Sequence, residues 1–138
     1  MTLLTAILTA CAGERPKNLG VKDGVLAACP SSPNCVSSFA ADEGHRITPF
    51  SFGDEPAAAF ARLTQMLRQR SDATIIEEGS GYLRVELRTT LFVDDAEFLL
   101  DEENKVIHLR SASRLGYSDL GKNRSRVEEI RAAFSRGG

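Results

Sequence analysis

Tyr82-Leu83-Arg84-Val85-Glu86-Leu87-Arg88 is the stretch that decides the fold. Leu83, Val85 and Leu87 fall on one side of an extended chain and Arg84, Glu86 and Arg88 on the other, because successive strand side chains point to opposite faces. Such alternation marks a strand with one buried face, as in antiparallel sheets. Moving outward, Gly79-Ser80-Gly81 is a turn from a shorter strand at 73–78. On the far side Phe92-Val93-Asp94-Asp95 breaks the pattern, and Ala96, Phe98 and Leu100 resume it. Asp101-Glu102-Glu103-Asn104 supplies a polar hairpin loop, and residues 106–112 form the partner strand.

Two helical patterns flank these strands. Phe60, Leu63 and Leu67 recur at helical spacing with Met66 alongside, preceded by Asp54 or Glu55 as cap and by Pro56 in the first turn. Val127, Ile130 and Phe134 mark an amphipathic last helix entered at Ser118 or Asp119. Residues 47–52 have strand-like side chains, but Pro49 confines them to an edge. The expected fold is α+β: an antiparallel sheet of four or five strands with two helices packed on one face, in the order strand, helix, four strands, helix.

A chain of 138 residues holds one core and hardly two. Its net charge of -2 leaves no overall excess of Lys and Arg for neutralising phosphates, which argues against a nucleic-acid partner. No apolar run approaches the roughly 18 residues needed to span a bilayer.

Residues 1–10 are apolar apart from threonines and end in Leu8-Thr9-Ala10-Cys11, which resembles the lipobox of a bacterial lipoprotein signal peptide. Small residues before the cut let a peptidase reach the backbone, and the Cys11 thiol is the nucleophile able to accept a diacylglyceryl group. No basic n-region precedes the run, which is short for a signal; a translation start placed too far downstream accounts for both. Cys11 is therefore the expected lipidation site and the membrane a partner through a lipid anchor, with the protein in the cell envelope, facing the periplasm or exterior. Residues 1–10 are read as signal peptide, 11–28 as a tether rich in Gly, Lys, Asn and Asp, and 29–138 as a single domain.

Cys29-Pro30-Ser31-Ser32-Pro33-Asn34-Cys35-Val36-Ser37-Ser38 is too dense in Pro and Ser for a helix or central strand and reads as an ordered turn. With Cys11 acylated two thiols remain, and an oxidising compartment predicts a Cys29 to Cys35 disulfide. The spacing fits neither the paired ligands of a zinc site nor a CxxC redox dithiol, so neither a metal nor another cofactor is expected.

Unusual chemistry concentrates between His108 and Arg124. If Ile107 and Leu109 face the core, His108 and Arg110 share a sheet face with Arg84, Glu86, Arg88, Asp95 and Glu97. The bland reading of that face is a solvated surface with weak ion pairs; the functional one is a polar pocket between it and the Cys29 loop. At the turn, the free N–H groups of the last helix favour an anion, Gly116 and Gly121 permit close backbone approach, and seven basic against three acidic side chains follow from Arg110 on. The candidate ligand-binding residues are Arg110, Ser113, Arg114, Ser118, Asp119, Lys122, Asn123 and Arg124, for a small anionic ligand or an envelope partner protein. The competing account is structural, with an arginine of this turn pairing with Asp94 or Asp95 to fix the last helix to the sheet. A rival catalytic reading uses His108 with Ser111 or Ser113, although no nucleophile-elbow pattern surrounds either serine.

Three separated motifs, Cys29 to Ser38 as quoted, Phe92-Val93-Asp94-Asp95-Ala96-Glu97-Phe98, and Arg110-Ser111-Ala112-Ser113-Arg114 through Asn123-Arg124, resemble the domain of unknown function family numbered 1499. Members of that family are often bacterial lipoproteins, so the resemblance implies the same anchor. It implies no activity or catalytic residue.

Overall fold

A computed structural model describes residues 13–137. The elements are β1 (Val21–Lys22), β2 (Val25–Leu26), β3 (Cys35–Ser37), β4 (Phe50–Ser51), α1 (Pro56–Gln69), β5 (Ala73–Gly79), β6 (Tyr82–Arg88), β7 (Val93–Asp101), β8 (Val106–Ser113) and α2 (Lys122–Arg136). An antiparallel meander, β5 to β8, forms the body of a six-stranded sheet in the order β3-β8-β7-β6-β5, with β4 also on β8. The fold is α+β as expected. Two strands exceed the central four because β8 is long enough to pair twice: its far end holds β3 through Cys35↔Ala112, and its start holds β4 through Phe50↔Ile107.

Leu83, Val85 and Leu87 of β6 point to one face, where they meet Ala96 and Phe98 of β7 and Ile107 and Leu109 of β8. Both helices cover this face. Ala59, Phe60, Leu63 and Leu67 of α1 and Val127, Ile130 and Phe134 of α2 complete the core. Phe50 links the layers, its ring 5.6 Å from that of Phe134, and each fully buried leucine here contributes about 1.5–3 kcal/mol by leaving water.

Three local expectations change. The Pro- and Ser-rich stretch ends in a true edge strand, β3, because its last residues find the free side of β8. β7 runs unbroken through Asp94 and Asp95, since each carboxylate meets an arginine and neither has to leave the ladder. The N-cap of α2 is Gly121, in a left-handed conformation at φ 78°, rather than Ser118 or Asp119, although Asp119 still supplies carboxylate oxygens to the Gly121 and Asn123 N–H groups.

Candidate functional site

Alternation sends Tyr82, Arg84, Glu86 and Arg88 away from the helices, and the register aligns them in rows across the sheet. One row reads Arg84↔Glu97↔Arg110, the next Glu86↔Asp95↔Ala112. This face is not the solvated surface that its composition suggests: Glu97 is fully buried, Glu86 and Asp95 nearly so, and Arg110 is 5 % exposed. The cover is residues 13–34. Gly20 donates its N–H to Glu97 Oε2 at 2.7 Å, Arg15 donates to Glu86 Oε2 at 2.6 Å, and the Ala28 carbonyl accepts from Arg110. Residues 13–28, whose composition reads as a tether, thus lie along the sheet. The Cys29–Cys35 disulfide, with Cα atoms 5.8 Å apart, ties the cover to β3.

The Glu86 row is fully paired. Arg114 forms a two-pronged contact with Asp95, Nε at 3.1 Å and a terminal nitrogen at 2.7 Å, and the same guanidinium reaches Glu86 at 2.9 Å. Arg88 adds a bond to Glu86 at 2.8 Å. Burial pushes the Glu86 carboxyl up, but hydrogen bonds from Arg15 and Arg114 together outweigh it and hold the group below the usual range.

The Arg84 row is different. Among the described residues, the buried side-chain polar atoms with no hydrogen-bond partner are Arg84 Nε, Glu97 Oε1 and Arg110 Nε, and all three belong to this single row. Glu97 satisfies its other oxygen with Gly20 and with the Tyr82 hydroxyl at 2.6 Å. Burial and this carboxylate raise the Tyr82 phenol above its ordinary value. Among the described residues the Arg110 side chain makes one hydrogen bond, to the Ala28 carbonyl at 3.4 Å, near the limit of a useful contact. Burial pulls its pKa below the ordinary arginine value, with Glu97 and Asp95 opposing. Leaving a buried donor unpaired is costly, and native proteins rarely do so without a use for it.

Beside Arg110 lies a cleft of about 320 Å³, walled by Pro16, Asn18, Cys29 and Pro30 of the cover and floored by Asp95, Arg110 and Arg114. A guanidinium there presents planar donors to carboxylate or phosphate oxygens. A larger opening of about 460 Å³ between α1 and the β5–β6 turn is lined by no buried charge, its Arg68 and Glu78 pairing with each other at the surface.

The eight residues predicted for ligand binding separate into groups. Arg110 and Arg114 line this cleft and Ser113 borders it with its hydroxyl turned to Asn123 on the helix side, but Arg114 is committed to Asp95 and Glu86. Asp119 places its own carboxylate at the amino end of α2, accepting from Gly121 N and Asn123 N at 2.9 Å each. Burial raises that carboxyl, and the Asn123 and Gly121 hydrogen bonds more than reverse it. Asn123 is buried and bonds Ser111, Ser113, Asp119 and the Asn34 carbonyl, a structural knot. Ser118 accepts from Leu120 N, Lys122 borders a neighbouring cleft, and Arg124 donates to the Arg46 and Gly44 carbonyls.

Residues 25–134 match the family described as Protein of unknown function (DUF1499). The chain belongs to that family. Nothing among curated proteins and no solved structure matches it. The DUF1499 match spans the disulfide, the sheet and both helices, and begins after Arg15 and Gly20 of the cover.

The rival catalytic pair is not assembled in this DUF1499 protein. Strand alternation sets Ser111 and Ser113 on the helix side of β8 and His108 on the other. His108 instead has Ser38 Oγ at 3.1 Å from Nδ1, Asp101 at 3.3 Å from Nε2, and the Phe39 ring stacked at 4.3 Å. That Ser-His-Asp order has a structural use: Ser38 Oγ accepts the Leu109 N–H at 2.9 Å, extending the β3 contact with β8. Ser38 was missed in the sequence because nothing local marks it as His108's neighbour. Gly20 and Arg15 were missed for the same reason, their partners lying 77 and 71 residues away. Among the described residues no group of three His, Cys, Asp or Glu side chains could hold a metal ion, and no helix is long and apolar enough to cross a membrane.

Proposed function

We propose that this DUF1499 protein is a lipid-anchored protein of the cell envelope that binds a small anionic ligand against Arg110, in the cleft between the sheet and residues 13–34. The observation that carries the ligand is Arg110 itself, a buried residue lining a cleft, whose Nε is unpartnered and which makes one long hydrogen bond among the described residues. A carboxylate or phosphate oxygen supplies what that group lacks. Neighbouring Arg114 contributes position rather than free charge, because two carboxylates already claim it. The anchor rests on Leu8-Thr9-Ala10-Cys11, which lies outside the described residues, and the Cys29–Cys35 disulfide is in keeping with an oxidising envelope compartment.

Thermal unfolding of the full chain with inorganic phosphate or citrate tests the site. A bound anion raises the melting temperature, since a ligand at 100 times its Kd adds about 2.7 kcal/mol. Arg110→Met should abolish the rise, while Arg124→Ala, which alters a guanidinium on the first turn of α2 that binds the Arg46 carbonyl, should keep it. Absence of any rise in the unaltered protein, or an equal rise in Arg110→Met, overturns the assignment.

A further inference from the structure

Apart from Val21 and Val25 on the β1–β2 ribbon, the large apolar side chains left in water among the described residues gather at one end of the sheet. Leu91 and Phe92 occupy the turn between β6 and β7, and Leu115, Tyr117 and Leu120 the loop between β8 and α2; Leu91 is 72 % and Leu120 96 % exposed. The two loops are neighbours. Arg114 N–H donates to the Val93 carbonyl at 3.0 Å, and Phe92, Leu115 and Leu120 share the wall of a cleft of about 450 Å³. Neither loop needs these side chains for its own shape. The β6–β7 turn is closed by Thr89, which bonds Phe92 through backbone and hydroxyl, leaving Leu91 at the tip where polar residues are the rule. Leu120 holds a left-handed backbone at φ 54°, which a branched side chain resists, and gains no burial in return.

A second observation says what covers this rim. The chain passes directly over it: a Cβ built on Gly13 would lie 2.9 Å from Leu115 Cδ2. Cys11 is two residues upstream of Gly13, so covalent geometry holds it within ~7 Å of that point. Lipid chains on Cys11 therefore begin beside the rim, and a tether so short brings this end of the domain, and no other, to the lipid surface. We propose that the 89–92 and 114–121 loops form a membrane-contacting face that sets Leu91, Phe92, Leu115 and Leu120 among the headgroups and upper acyl chains. This inference rests on the Cys11 anchor proposed above. Tyr117, exposed at the same loop, has the apolar ring and polar hydroxyl suited to headgroup depth, and Lys122 at the cleft wall offers a cation to anionic lipid. In this orientation the Arg110 cleft, floored by Arg114 at the root of the same loop, opens near the membrane.

The chain has no tryptophan, so single substitutions give clean fluorescent reporters. Full-length protein carrying Phe92→Trp, Leu120→Trp or, at the opposite end of the sheet, Asn104→Trp is purified from the envelope. It is reconstituted into equal-part phosphatidylethanolamine and phosphatidylglycerol vesicles with or without brominated acyl chains. Flotation reads the anchor and quenching reads the rim. The expected result is flotation of all three, with emission at 92 and 120 blue-shifted and quenched by bromine and emission at 104 unchanged. Flotation without quenching at 92 and 120 overturns the membrane face and leaves the anchor standing. Failure to float, with the Cys11→Ser protein behaving identically, overturns the anchor and the inference together. A blue shift at 92 and 120 that brominated lipid does not quench and that grows with protein concentration assigns the rim to a second copy, and quenching at all three positions shows unspecific insertion; either result also overturns it.

Discussion

Asp94 and Asp95 are adjacent in β7, and their carboxylates are held by arginines on opposite faces of the sheet. Asp94 meets Arg126 of α2 at 2.7 Å on the helix side, and Asp95 meets Arg114 at 2.7 Å beneath the amino-terminal cover. Adjacent residues of a strand point opposite ways, so one dipeptide fastens two layers. It also means that the two acids do not share a proton or a metal.

Removing one partner of a buried pair leaves the other charge stranded. Arg114→Ala, whose side chain is 5 % exposed and serves two carboxylates, should lower stability by about 3–5 kcal/mol. Urea denaturation at neutral pH measures this. A loss below about 1 kcal/mol, the worth of a surface pair, means that the Glu86 row is hydrated in solution.

Arg110 should behave differently. It has no carboxylate within ion-pair distance among the described residues and a single 3.4 Å hydrogen bond, so Arg110→Met exchanges an unsatisfied buried charge for an apolar side chain of similar length. Removing that charge breaks no ion pair among the described residues, so the change should lie near neutral, well short of the loss that follows when one member of a buried pair is removed. The same urea series run on both variants gives the comparison; a loss as large as that of Arg114→Ala refutes it.

The Asp119 carboxyl is held below its usual pKa, burial opposing and the Asn123 and Gly121 hydrogen bonds prevailing. A lowered folded-state pKa means stabilisation that is present above the unfolded value and lost as pH falls through the folded one. Asp119→Ala should therefore cost about 0.5–2 kcal/mol near neutrality, as for other lost caps, with the gap from the unaltered protein narrowing in acid. Denaturation curves at neutral pH and at a pH below the carboxylate range check it, and a gap that is constant with pH defeats it.

Reducing the disulfide should cost about 2 kcal/mol, because it closes a loop of only six residues' separation. Paired melting scans with and without reductant read the cost. Anion binding should weaken in the reduced protein as well, since Cys29 and Pro30 wall the Arg110 cleft.

Much of this architecture is legible from side-chain period. The alternation of residues 82–88 implied a one-sided antiparallel strand, and the same parity rule placed Arg110 on the face of Glu97 and Asp95. The burial of that face was not legible. Arg84, Glu86 and Arg88 have the composition of a wet surface, yet only Arg88 is exposed, and what covers Glu86 is a Gly- and Lys-containing segment with no period of its own. Its attachments are single long-range bonds, Gly20 N–H to Glu97 and Arg15 to Glu86, which leave no local pattern. The amino end of α2 was read as open to an outside anion because spacing shows a cap residue without showing how many N–H groups its carboxylate takes; Asp119 takes two.

The pairing of β3 with β8 joins Cys35 to Ala112, and the cover over β6 and β7 depends on strands completed only at residue 101. The first third of the chain thus has no finished surface to dock on until nearly all the rest has been made. A polypeptide delivered across a membrane from its amino end would stay open and threadable throughout its passage, and would close only as its last strand and helix emerged on the far side.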